Sequence, residues 1–358
     1  MGCRGIPNHY GGFEQLAEHL SKGLTEHGHT VTVYNTHDHP YQHKEWEQVQ
    51  IIHCKNPEKK LGTAGQFIYD WNCIRDARQR KYDVILFLGY TSSSVWGRWF
   101  PASVIISNMD GMEWKRSKYS TPVRWFLRKA ESMAVRYSDF FVADSVLIQD
   151  YLQHTYSVNS KFIAYGAKEQ EEYDNTIPGK YGVSAGRYCM LMARMEPENN
   201  IEMILRGFSA TNSGMHFLVV GNTDNPFGKK MRRQFGGDKR IIFAGPVFEQ
   251  AVNHSLRHFC AVYFHGHSVG GTNPSLLEAM ADGAFIAAHD NGFNRAVLGE
   301  DALYFSSSRE AEFLLQERAD RERMIEKNKE KIQEQYTWPH IIAQYAAFIE
   351  HCYSRKKR

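Results

Sequence analysis

The sequence predicts an α/β protein made of two doubly wound, Rossmann-like domains. Short apolar runs alternate with amphipathic helical patterns along nearly the whole chain, which is typical of parallel sheets with helices on both faces. The 358 residues exceed one typical core and suit two ordinary domains. A polar stretch near residues 168–186 contains proline and glycine and lacks periodicity, so we expect the break between domains there.

The predicted strands form one set before the break and one set after it. Those before it are Val31–Asn35, Ile51–Cys54, Val84–Gly89, Val104–Asn108, Phe140–Asp144 and Phe162–Tyr165. Those after it are Tyr188–Ala193, His216–Gly221, Arg240–Ala244, Ala261–His265 and Ala284–Ala288. Helical patterns separate most of them. The clearest is Phe13–His27, with apolar residues at helical spacing and Gly28 as its stop signal.

We therefore expect an N-terminal acceptor-side domain over residues 1–170 and a C-terminal donor-binding domain over 171–337. A helix over 338–358 is expected to pack back toward the first domain. The usual opening strand of such a fold is truncated or missing, because Met1 is followed at once by a glycine- and proline-containing segment. Either the chain starts late or the sheet lacks a central strand, which would cost its neighbours backbone partners.

Composition excludes several classes of function. The net charge of +3 is too small for a typical nucleic-acid binder, so no nucleic-acid partner is expected. The six cysteines are widely spaced and predict reduced thiols in a cytoplasmic protein rather than disulfides or zinc. No apolar run approaches the ~20 residues of a membrane span, so any membrane contact would be peripheral. The histidines at 37, 39 and 43 match no metal-ligand spacing, and no metal is expected.

The strongest local signal is an apolar strand that runs into a glycine-containing loop and then a helix, over residues 265–280. Asn273 suits the N-cap and Pro274 the first helical position. The helix start therefore offers backbone N–H groups to a phosphate, beside the flexible Gly270-Gly271 pair. Glu278, one turn in, can accept hydrogen bonds from the two vicinal hydroxyls of a ribose. An ordinary connection with a solvent-facing glutamate explains this segment equally well.

Other polar residues follow predicted strands. Arg194 comes at a strand end, where its guanidinium can hold phosphate bidentately. Gly11-Gly12 open the first helix and allow close approach of a ligand. Asp110 is a candidate contact to a reacting sugar, although Asp-Gly is also a common turn. Ligands of doubly wound folds bind beyond the carboxyl ends of the strands, so the expected site is the cleft between the domains.

A locally basic segment spans residues 115–136, with aromatic residues among the basic ones. Such a helix favours contact with an anionic membrane or a phosphorylated lipid. A solvated helix face whose aromatic residues belong to the core is equally consistent. The candidate acceptor or membrane residues are Trp114, Lys115, Arg116, Arg124 and Arg128.

Several of these segments resemble glycosyltransferase family 4, which has the GT-B fold, over nearly the whole chain. Three regions are similar to a subgroup described as rhamnosyltransferases of bacterial surface polysaccharides. They are Arg4–Pro7 with Tyr10–Glu14, the run from Asp110 to Arg116 and the run from His267 to Pro274. The resemblance implies a retaining, metal-independent transfer from a nucleoside diphosphate sugar, with dTDP-rhamnose as the suggested donor. The implied acceptor is a sugar hydroxyl, either on a saccharide or on a polyprenyl pyrophosphate carrier at the inner membrane face.

The resemblance also implies roles for individual residues. Glu278 matches the glutamate that holds the donor ribose, and Arg194 matches the phosphate-binding arginine. Asp110 falls near the transferred sugar. Catalysis would then be mostly electrostatic, with Arg194 and the helix N-terminus at Asn273 stabilising the leaving diphosphate as it gains charge. Arg194 and Asp110 are the candidate catalytic residues. The remaining implied donor-binding residues are Gly11, Gly12, Gly245, Val247, His267, Gly270, Gly271, Thr272 and Asn273.

Two positions depart from the family pattern. Gly270 stands where a first glutamate would contact the sugar, and a 6-deoxy sugar such as rhamnose would tolerate that loss. Asn199 stands where a lysine is usual, which leaves Arg194, with His265, His267 or Lys229, to neutralise the diphosphate. Two alternatives remain open: an epimerase or phosphorylase on the same fold, and a non-catalytic relative that binds nucleotide or polysaccharide.

Overall fold

The computed structural model describes residues 1–356 apart from Tyr10, Asp110, Ser117 and residues 315–319. The chain divides into two compact units. Unit 1 comprises residues 1–115, 119–166 and 338–358, and unit 2 comprises residues 116–118 and 167–337. The prediction for Asp110 lies outside the described residues.

The strands are mostly short and largely buried. In chain order they are β1 (Thr32–Thr36), β2 (Glu45–Trp46), β3 (Val49–Cys54), β4 (Val84–Leu88), β5 (Val104–Asn108), β6 (Phe140–Ala143), β7 (Lys161–Phe162), β8 (Tyr188–Met192), β9 (His216–Val220), β10 (Ile241–Gly245), β11 (Val262–His265), β12 (Ile286–His289) and β13 (Leu303–Phe305). Each strand predicted from the sequence is present, with ends that differ by at most three residues.

Helices follow most of the strands. They are α1 (Gly12–Glu26), α2 (Glu58–Leu61), α3 (Ala64–Arg80), α4 (Thr121–Tyr137), α5 (Val146–Tyr156), α6 (Ile177–Lys180), α7 (Ile201–Ala210), α8 (Pro226–Phe235), α9 (Gln250–His258), α10 (Pro274–Ala281), α11 (Gly292–Leu298), α12 (Ser308–Phe313), α13 (Arg321–Lys331) and α14 (Trp338–Lys356). Short 3₁₀ turns cover Ser94–Trp99, Glu113–Lys115 and Pro197–Asn199, and a π-helical turn covers Ile332–Tyr336. Among the described residues, no helix combines the length and the apolar character that a bilayer crossing requires.

Unit 2 is built on one parallel sheet with the strand order β10-β9-β8-β11-β12-β13. Its core includes Leu191, Phe208, Phe217 and Phe264, all buried between the sheet and its helices. The order reverses at β8, since later strands add on either side of it. At such a switch point the carboxyl ends of neighbouring strands diverge and leave room for a ligand.

Unit 1 contains two sheets rather than one. The first has the order β1-β3-β2 and the second the order β4-β5-β6-β7. The first residues of the chain hydrogen-bond to both sheets. The Met1 ammonium donates to Leu86 O at 2.9 Å, Leu88 N donates to Met1 O at 2.8 Å, and Thr36 N donates to Arg4 O at 2.9 Å. Residues 1–4 thereby supply backbone hydrogen-bond partners to part of β1 and part of β4. These two strands belong to separate sheets.

The C-terminal helix α14 belongs to unit 1. It packs against α1, where the side chain of Ile342 fills the space above Gly23. The ring of His19 stacks on Trp338, with centroids 4.0 Å apart. Asn108 Nδ2, at the end of β5, donates to Tyr345 OH at 3.1 Å. The helix therefore completes the packing of this unit.

Candidate functional site

Two loops at the carboxyl edge of the unit 2 sheet are joined by hydrogen bonds. One follows β8 (residues 193–200) and the other follows β11 (residues 266–273), and these strands are neighbours. Ser268 donates from both N and Oγ to Glu198 O, at 3.1 and 2.8 Å, and Asn200 Nδ2 donates to Gly266 O at 2.8 Å. A Cβ at Gly266 would lie 2.0 Å from Asn199 O, so only glycine permits this approach.

Asn199 lies at the centre of this junction. Its Nδ2 donates to Arg194 O at 2.7 Å, and its Oδ1 lies 2.9 Å from His267 Nδ1. Because an amide oxygen only accepts, the neutral His267 ring carries its proton on Nδ1 and leaves Nε2 as an acceptor. That Nε2 is 3.2 Å from where a Cβ of Gly270 would lie, and Gly270 has a φ of +124°. Sequence reasoning treated Asn199 only as a lost lysine and missed this positioning role.

A third loop supports the same junction. Asn291 and Asn294 flank the start of α11, and their Nδ2 atoms donate to His267 O at 3.1 and 3.0 Å. The sequence offered a signal here, since Asn291 is the N-cap of α11, but nothing in the spacing connects that cap to His267. Three successive strand ends therefore determine the position of the His267 backbone.

The predicted helix start is confirmed. Asn273 is the N-cap of α10, its Oδ1 accepts from Ser275 N at 2.9 Å, and Pro274 occupies the first turn. Because the Asn273 side chain already satisfies the Ser275 N–H, an anion here would meet the loop in front of the cap rather than the first turn of the helix. Gly271 is half-buried and Thr272 is buried in that loop.

Glu278 forms an ion pair with a fully buried arginine. Arg257 on α9 places one guanidinium nitrogen 3.1 Å from Glu278 Oε2 and Nε 2.6 Å from Asp282 Oδ2. Asp282 is completely buried and also lies 2.7 Å from His254 Nδ1. Burial acts to lower the pKa of Arg257, but the charges of Glu278 and Asp282 outweigh it and raise that pKa. The Glu278 side chain keeps 24% of its surface exposed. The buried Arg257 therefore orients the carboxylate while part of the side chain stays accessible to a ligand.

Two basic side chains, Arg194 and Lys118, lie near Glu196 in the loop after β8. Arg194 is exposed, and among the described residues its guanidinium makes no hydrogen bond or ion pair. Burial acts to raise the pKa of the nearby Glu196 carboxyl, but the charges of Arg194 and Lys118 outweigh burial and lower it. Lys118 Nζ lies 2.9 Å from Glu196 Oε1. The Arg194 side chain is thus available to an anion at the end of β8.

The chain is similar to known proteins in parts of its sequence and in its fold. Residues 1–168 match a family model described as a domain of unknown function (DUF1972), and residues 199–347 match one described as glycosyl transferase-like. The structure is similar to a sucrose-phosphate synthase from Thermosynechococcus elongatus, with 17% identity, 96% of this chain and 94% of that chain covered, and a TM-score of 0.77. It is also similar to HepE from Anabaena in complex with UDP-glucose, with 14% identity, coverage of 97% and 98%, and a TM-score of 0.75.

A third similar structure is an α,α-trehalose 6-phosphate synthase from Burkholderia multivorans, with 11% identity, coverage of 99% and 96%, and a TM-score of 0.68. No curated protein matches the sequence. The chain has the GT-B glycosyltransferase fold. The predicted pair of doubly wound α/β domains is therefore confirmed.

Histidines near the site do not add positive charge. Burial, followed by the field of His289, lowers the pKa of His265 to about 3. Burial also lowers the pKa of His267 well below its usual value, and His265 and two arginines add to the effect. Both rings are neutral at physiological pH. The prediction that they help to neutralise the charge of the diphosphate is therefore wrong, and they can offer only neutral hydrogen bonds. His265 Nε2 is buried and has no hydrogen-bond partner among the described residues.

Arg116 is also placed differently from the prediction. It was grouped with residues facing an acceptor or a membrane, but it is buried in unit 2. Its guanidinium lies 3.7 Å from Glu198 Oε1 and 3.8 Å from Glu196 Oε2. The Glu198 carboxylate is itself buried, and such a charge requires a cation nearby. Arg116 therefore stabilises the loop after β8 rather than presenting a charge to a surface.

The other predicted donor residues lie on separate elements. Gly11 is the N-cap of α1 and Gly12 begins it, in unit 1, with the buried Glu14 in the first turn. In unit 2, Gly245 ends β10 with a φ of +77°, and Val247 O accepts from Asn253 Nδ2 at 3.2 Å. The structure does not join these residues to the loop junction through any described hydrogen bond, and their donor roles remain predictions.

The basic segment of unit 1 is organised by a buried carboxylate. Glu131 on α4 accepts from Tyr151 and Tyr156 hydroxyls at 2.6 and 2.7 Å, and from Tyr90 OH and Trp114 Nε1 at 3.1 and 3.3 Å. Burial, followed by the bond to Glu131, raises the pKa of Tyr151 to about 12. This cluster was not found from the sequence, because its members come from four separate elements.

The remaining predicted surface residues surround Trp114. The Arg128 guanidinium lies 4.2 Å from the centre of its indole ring, and Lys115 Nζ lies 5.5 Å from it. Arg124 is half-buried on the first turn of α4. The acceptor or membrane roles of Trp114, Lys115, Arg124 and Arg128 remain predictions. No group of three or more His, Cys, Asp or Glu side chains in the described part of the chain is arranged to hold a metal ion.

Proposed function

We propose that this GT-B protein is a retaining glycosyltransferase that moves a sugar from a nucleoside diphosphate donor to a hydroxyl of a saccharide or lipid-linked acceptor. One observation carries the proposal: the loops after β8 and β11 are joined at the carboxyl edge of the sheet. The first loop carries Arg194, whose guanidinium no described residue engages, and the second leads into the capped start of α10. An anionic ligand at that edge would meet both a guanidinium and loop amides.

The donor diphosphate would lie against Arg194 and the loop of Gly271, Thr272 and Asn273. The leaving diphosphate gains negative charge as the glycosidic bond breaks, so groups fixed in advance around it lower the barrier. The backbone of this loop is held by Ser268 and Asn200 from one side. Such fixed positions let the loop amides stabilise the developing charge without reorganising.

Glu278 would accept hydrogen bonds from the donor ribose. The buried Arg257 fixes the position of this carboxylate through the 3.1 Å ion pair. Because an ionised carboxylate only accepts, it suits two neighbouring hydroxyl donors. The HepE structure contains UDP-glucose, and a uridine nucleotide is therefore one donor to test alongside thymidine and guanosine nucleotides.

Rhamnose is our preferred sugar. The position where a glutamate would touch the sugar is Gly270, and the neighbouring His267 is neutral, with Nε2 as an acceptor. A 6-deoxy sugar offers no hydroxyl at its sixth carbon, so the loss of a carboxylate at this position costs it no hydrogen bond. A role in surface polysaccharide biosynthesis would follow from such a donor.

A panel of nucleotide sugars tests this proposal. We expect dTDP-rhamnose to raise the melting temperature more than dTDP alone, and then to be consumed when a pyrophosphoryl-lipid-linked saccharide is added. Product that retains the anomeric configuration supports the proposal. Interconversion of the sugar nucleotide without an acceptor would instead indicate an epimerase, and stabilisation with no product in any combination would indicate a non-catalytic binding protein.

A further inference from the structure

One histidine of unit 2 is fixed by the loops on both sides of it. His267 follows β11, and its Nδ1 lies 2.9 Å from Asn199 Oδ1 in the loop after β8. Its backbone oxygen accepts hydrogen bonds from Asn291 and Asn294, after β12, at 3.1 and 3.0 Å. Both the backbone and the ring therefore have one orientation. Such preorganisation is typical of a side chain that meets a ligand in a defined geometry.

The amide of Asn199 determines which nitrogen of the ring carries the proton. Its Nδ2 donates to Arg194 O at 2.7 Å, so its oxygen is the atom that faces His267 Nδ1. An amide oxygen only accepts, and the ring proton therefore lies on Nδ1. Burial lowers the pKa of His267 well below its usual value, whereas the Val269 backbone acts to raise it, as a carbonyl acceptor does. A carbonyl cannot donate to Nε2, so this atom is a neutral acceptor.

The Nε2 atom faces a space that exists because residue 270 is glycine. A Cβ at Gly270 would lie 3.2 Å from His267 Nε2, which is closer than a Cβ usually approaches. The φ of +124° at Gly270 is also one that residues with side chains rarely adopt. The imidazole and a side chain at position 270 therefore exclude one another. The two departures from the family pattern, Asn199 and Gly270, are thus parts of one arrangement around His267.

This acceptor lies beside the loop that we assign to the donor diphosphate. Gly270 directly precedes Gly271 in that loop. Burial is the main cause of the low pKa of His267, and the charge of Arg194 contributes to it, so this guanidinium lies near the ring. Ionised phosphate oxygens only accept hydrogen bonds and offer Nε2 nothing. The ribose hydroxyls are assigned to Glu278, which leaves the hydroxyls of the sugar as donors to Nε2.

We propose that His267 Nε2 accepts a hydrogen bond from one hydroxyl of the donor sugar and selects donors that carry this hydroxyl. Asn199 is a positioning residue, because it acts on the ligand through the imidazole, and Gly270 keeps the space open. A buried acceptor that loses its partner discriminates strongly against an analogue that lacks the hydroxyl. The inference rests on the proposed function, since it takes the sugar to be attached to a nucleoside diphosphate bound beside Arg194.

Titration calorimetry of the full chain tests it, with dTDP against dTDP-rhamnose and UDP against UDP-glucose. For the donor that binds more tightly, analogues that each lack one sugar hydroxyl complete the set. We expect the native chain to bind one analogue about tenfold more weakly than the parent sugar nucleotide. His267→Phe keeps an aromatic ring without an acceptor. It should bind the parent about tenfold more weakly, no longer distinguish that analogue, and bind the nucleoside diphosphate as the native chain does.

His216→Phe is the matched control, because His216 begins β9 at the opposite edge of the same parallel sheet. It should leave every affinity unchanged, and circular dichroism should show all variants folded. Nitrogen-15 NMR of the histidine rings provides a readout of the positioning role. In the native chain His267 should be protonated on Nδ1 and unprotonated on Nε2. Asn199→Leu should abolish this preference and also lose the discrimination between the parent and the analogue.

Four outcomes count against these ideas in different ways. Native affinity of His267→Phe for the sugar nucleotide, or an equal loss for the nucleoside diphosphate, would overturn the inference. So would a native chain that binds every analogue like the parent, or a native His267 protonated on Nε2. These last two measurements use the native chain and do not depend on the folding of a variant. Failure of the native chain to bind dTDP, UDP and both sugar nucleotides would contradict the proposed function itself, and the inference with it.

Discussion

The buried charge cluster beneath Glu278 allows the sharpest test of how unit 2 is held together. Arg257→Met keeps most of the side-chain volume and removes the guanidinium that lies 3.1 Å from Glu278 and 2.6 Å from Asp282. Asp282 is fully buried, and among the described side chains its carboxylate would keep only the 2.7 Å contact with His254 Nδ1. Removing one partner of a buried ion pair costs roughly 3–5 kcal/mol, because the charge left behind is uncompensated.

The two units can be followed separately in this experiment. All seven tryptophans lie in unit 1, so tryptophan fluorescence during urea unfolding reports that unit alone. Hydrogen exchange of the amides of β8 and β11 reports unit 2. We expect exchange protection in unit 2 to fall by roughly 3–5 kcal/mol, whereas the fluorescence midpoint stays unchanged.

A second substitution separates lost charge from lost packing. Arg257→Met combined with Asp282→Asn should recover part of the loss, because it also removes the carboxylate that the first substitution leaves unpaired. A deficit below about 1 kcal/mol in the single variant, or no recovery in the double variant, would refute this reasoning.

Three further predictions concern other parts of the chain. Gly266→Ala would place a Cβ 2.0 Å from Asn199 O and should destabilise unit 2 by roughly 1–3 kcal/mol; a native level of exchange protection would contradict the close contact. His265 has a depressed folded-state pKa of about 3, so its contribution to stability is present above the unfolded value of about 6.5 and is lost as the pH falls below it. His265→Phe should therefore flatten the decline of unit 2 stability below that pH, as followed by hydrogen exchange, and an unchanged slope counts against the assignment. Glu131→Gln replaces an acceptor oxygen with a donor opposite phenol and indole donors, and should lower the unfolding free energy of unit 1 by roughly 1–3 kcal/mol; an unshifted fluorescence midpoint in urea would show that the cluster does not need the carboxylate.

The sequence predicted those parts of the molecule that depend on local patterns. Apolar runs between helical patterns located the strands, because each buried strand of a parallel sheet is apolar along its whole length. The helix start at Asn273-Pro274 followed from capping chemistry that operates within four residues. The stop of α1 is equally local, since Gly28 has a φ of +87° just beyond the helix.

Two short strands were missed for identifiable reasons. The turn between β2 and β3 uses Glu47 and Gln48, both with positive φ, and these residues lack the Asn-Gly signal by which such hairpins are normally found. Strand β13 has three residues, too few for a periodic pattern. In both cases pairing with a neighbouring strand determines the structure more than local propensity does.

The candidate site was only partly accessible from the sequence, because its supports are contacts between distant segments. Arg257 reaches Glu278 across the α9–α10 packing, and Asn199 bonds to His267 over 68 positions. Arg116 pairs with Glu198, which belongs to a different chain segment of the same unit. No spacing rule encodes such pairs, so the sequence indicated candidate ligand-contacting residues and left out those that hold them in place.

The central claim is that Arg194 stabilises the charge of a leaving diphosphate, and the rate of sugar transfer by Arg194→Ala tests it most directly. The matched control is Arg233→Ala, which removes an exposed arginine of α8 that no described contact engages. With the best donor of the panel, we predict that Arg194→Ala lowers kcat/KM by about 100-fold or more, with an unchanged melting temperature, while Arg233→Ala retains native activity. Native turnover by Arg194→Ala, or an equal loss in both variants, would contradict the account.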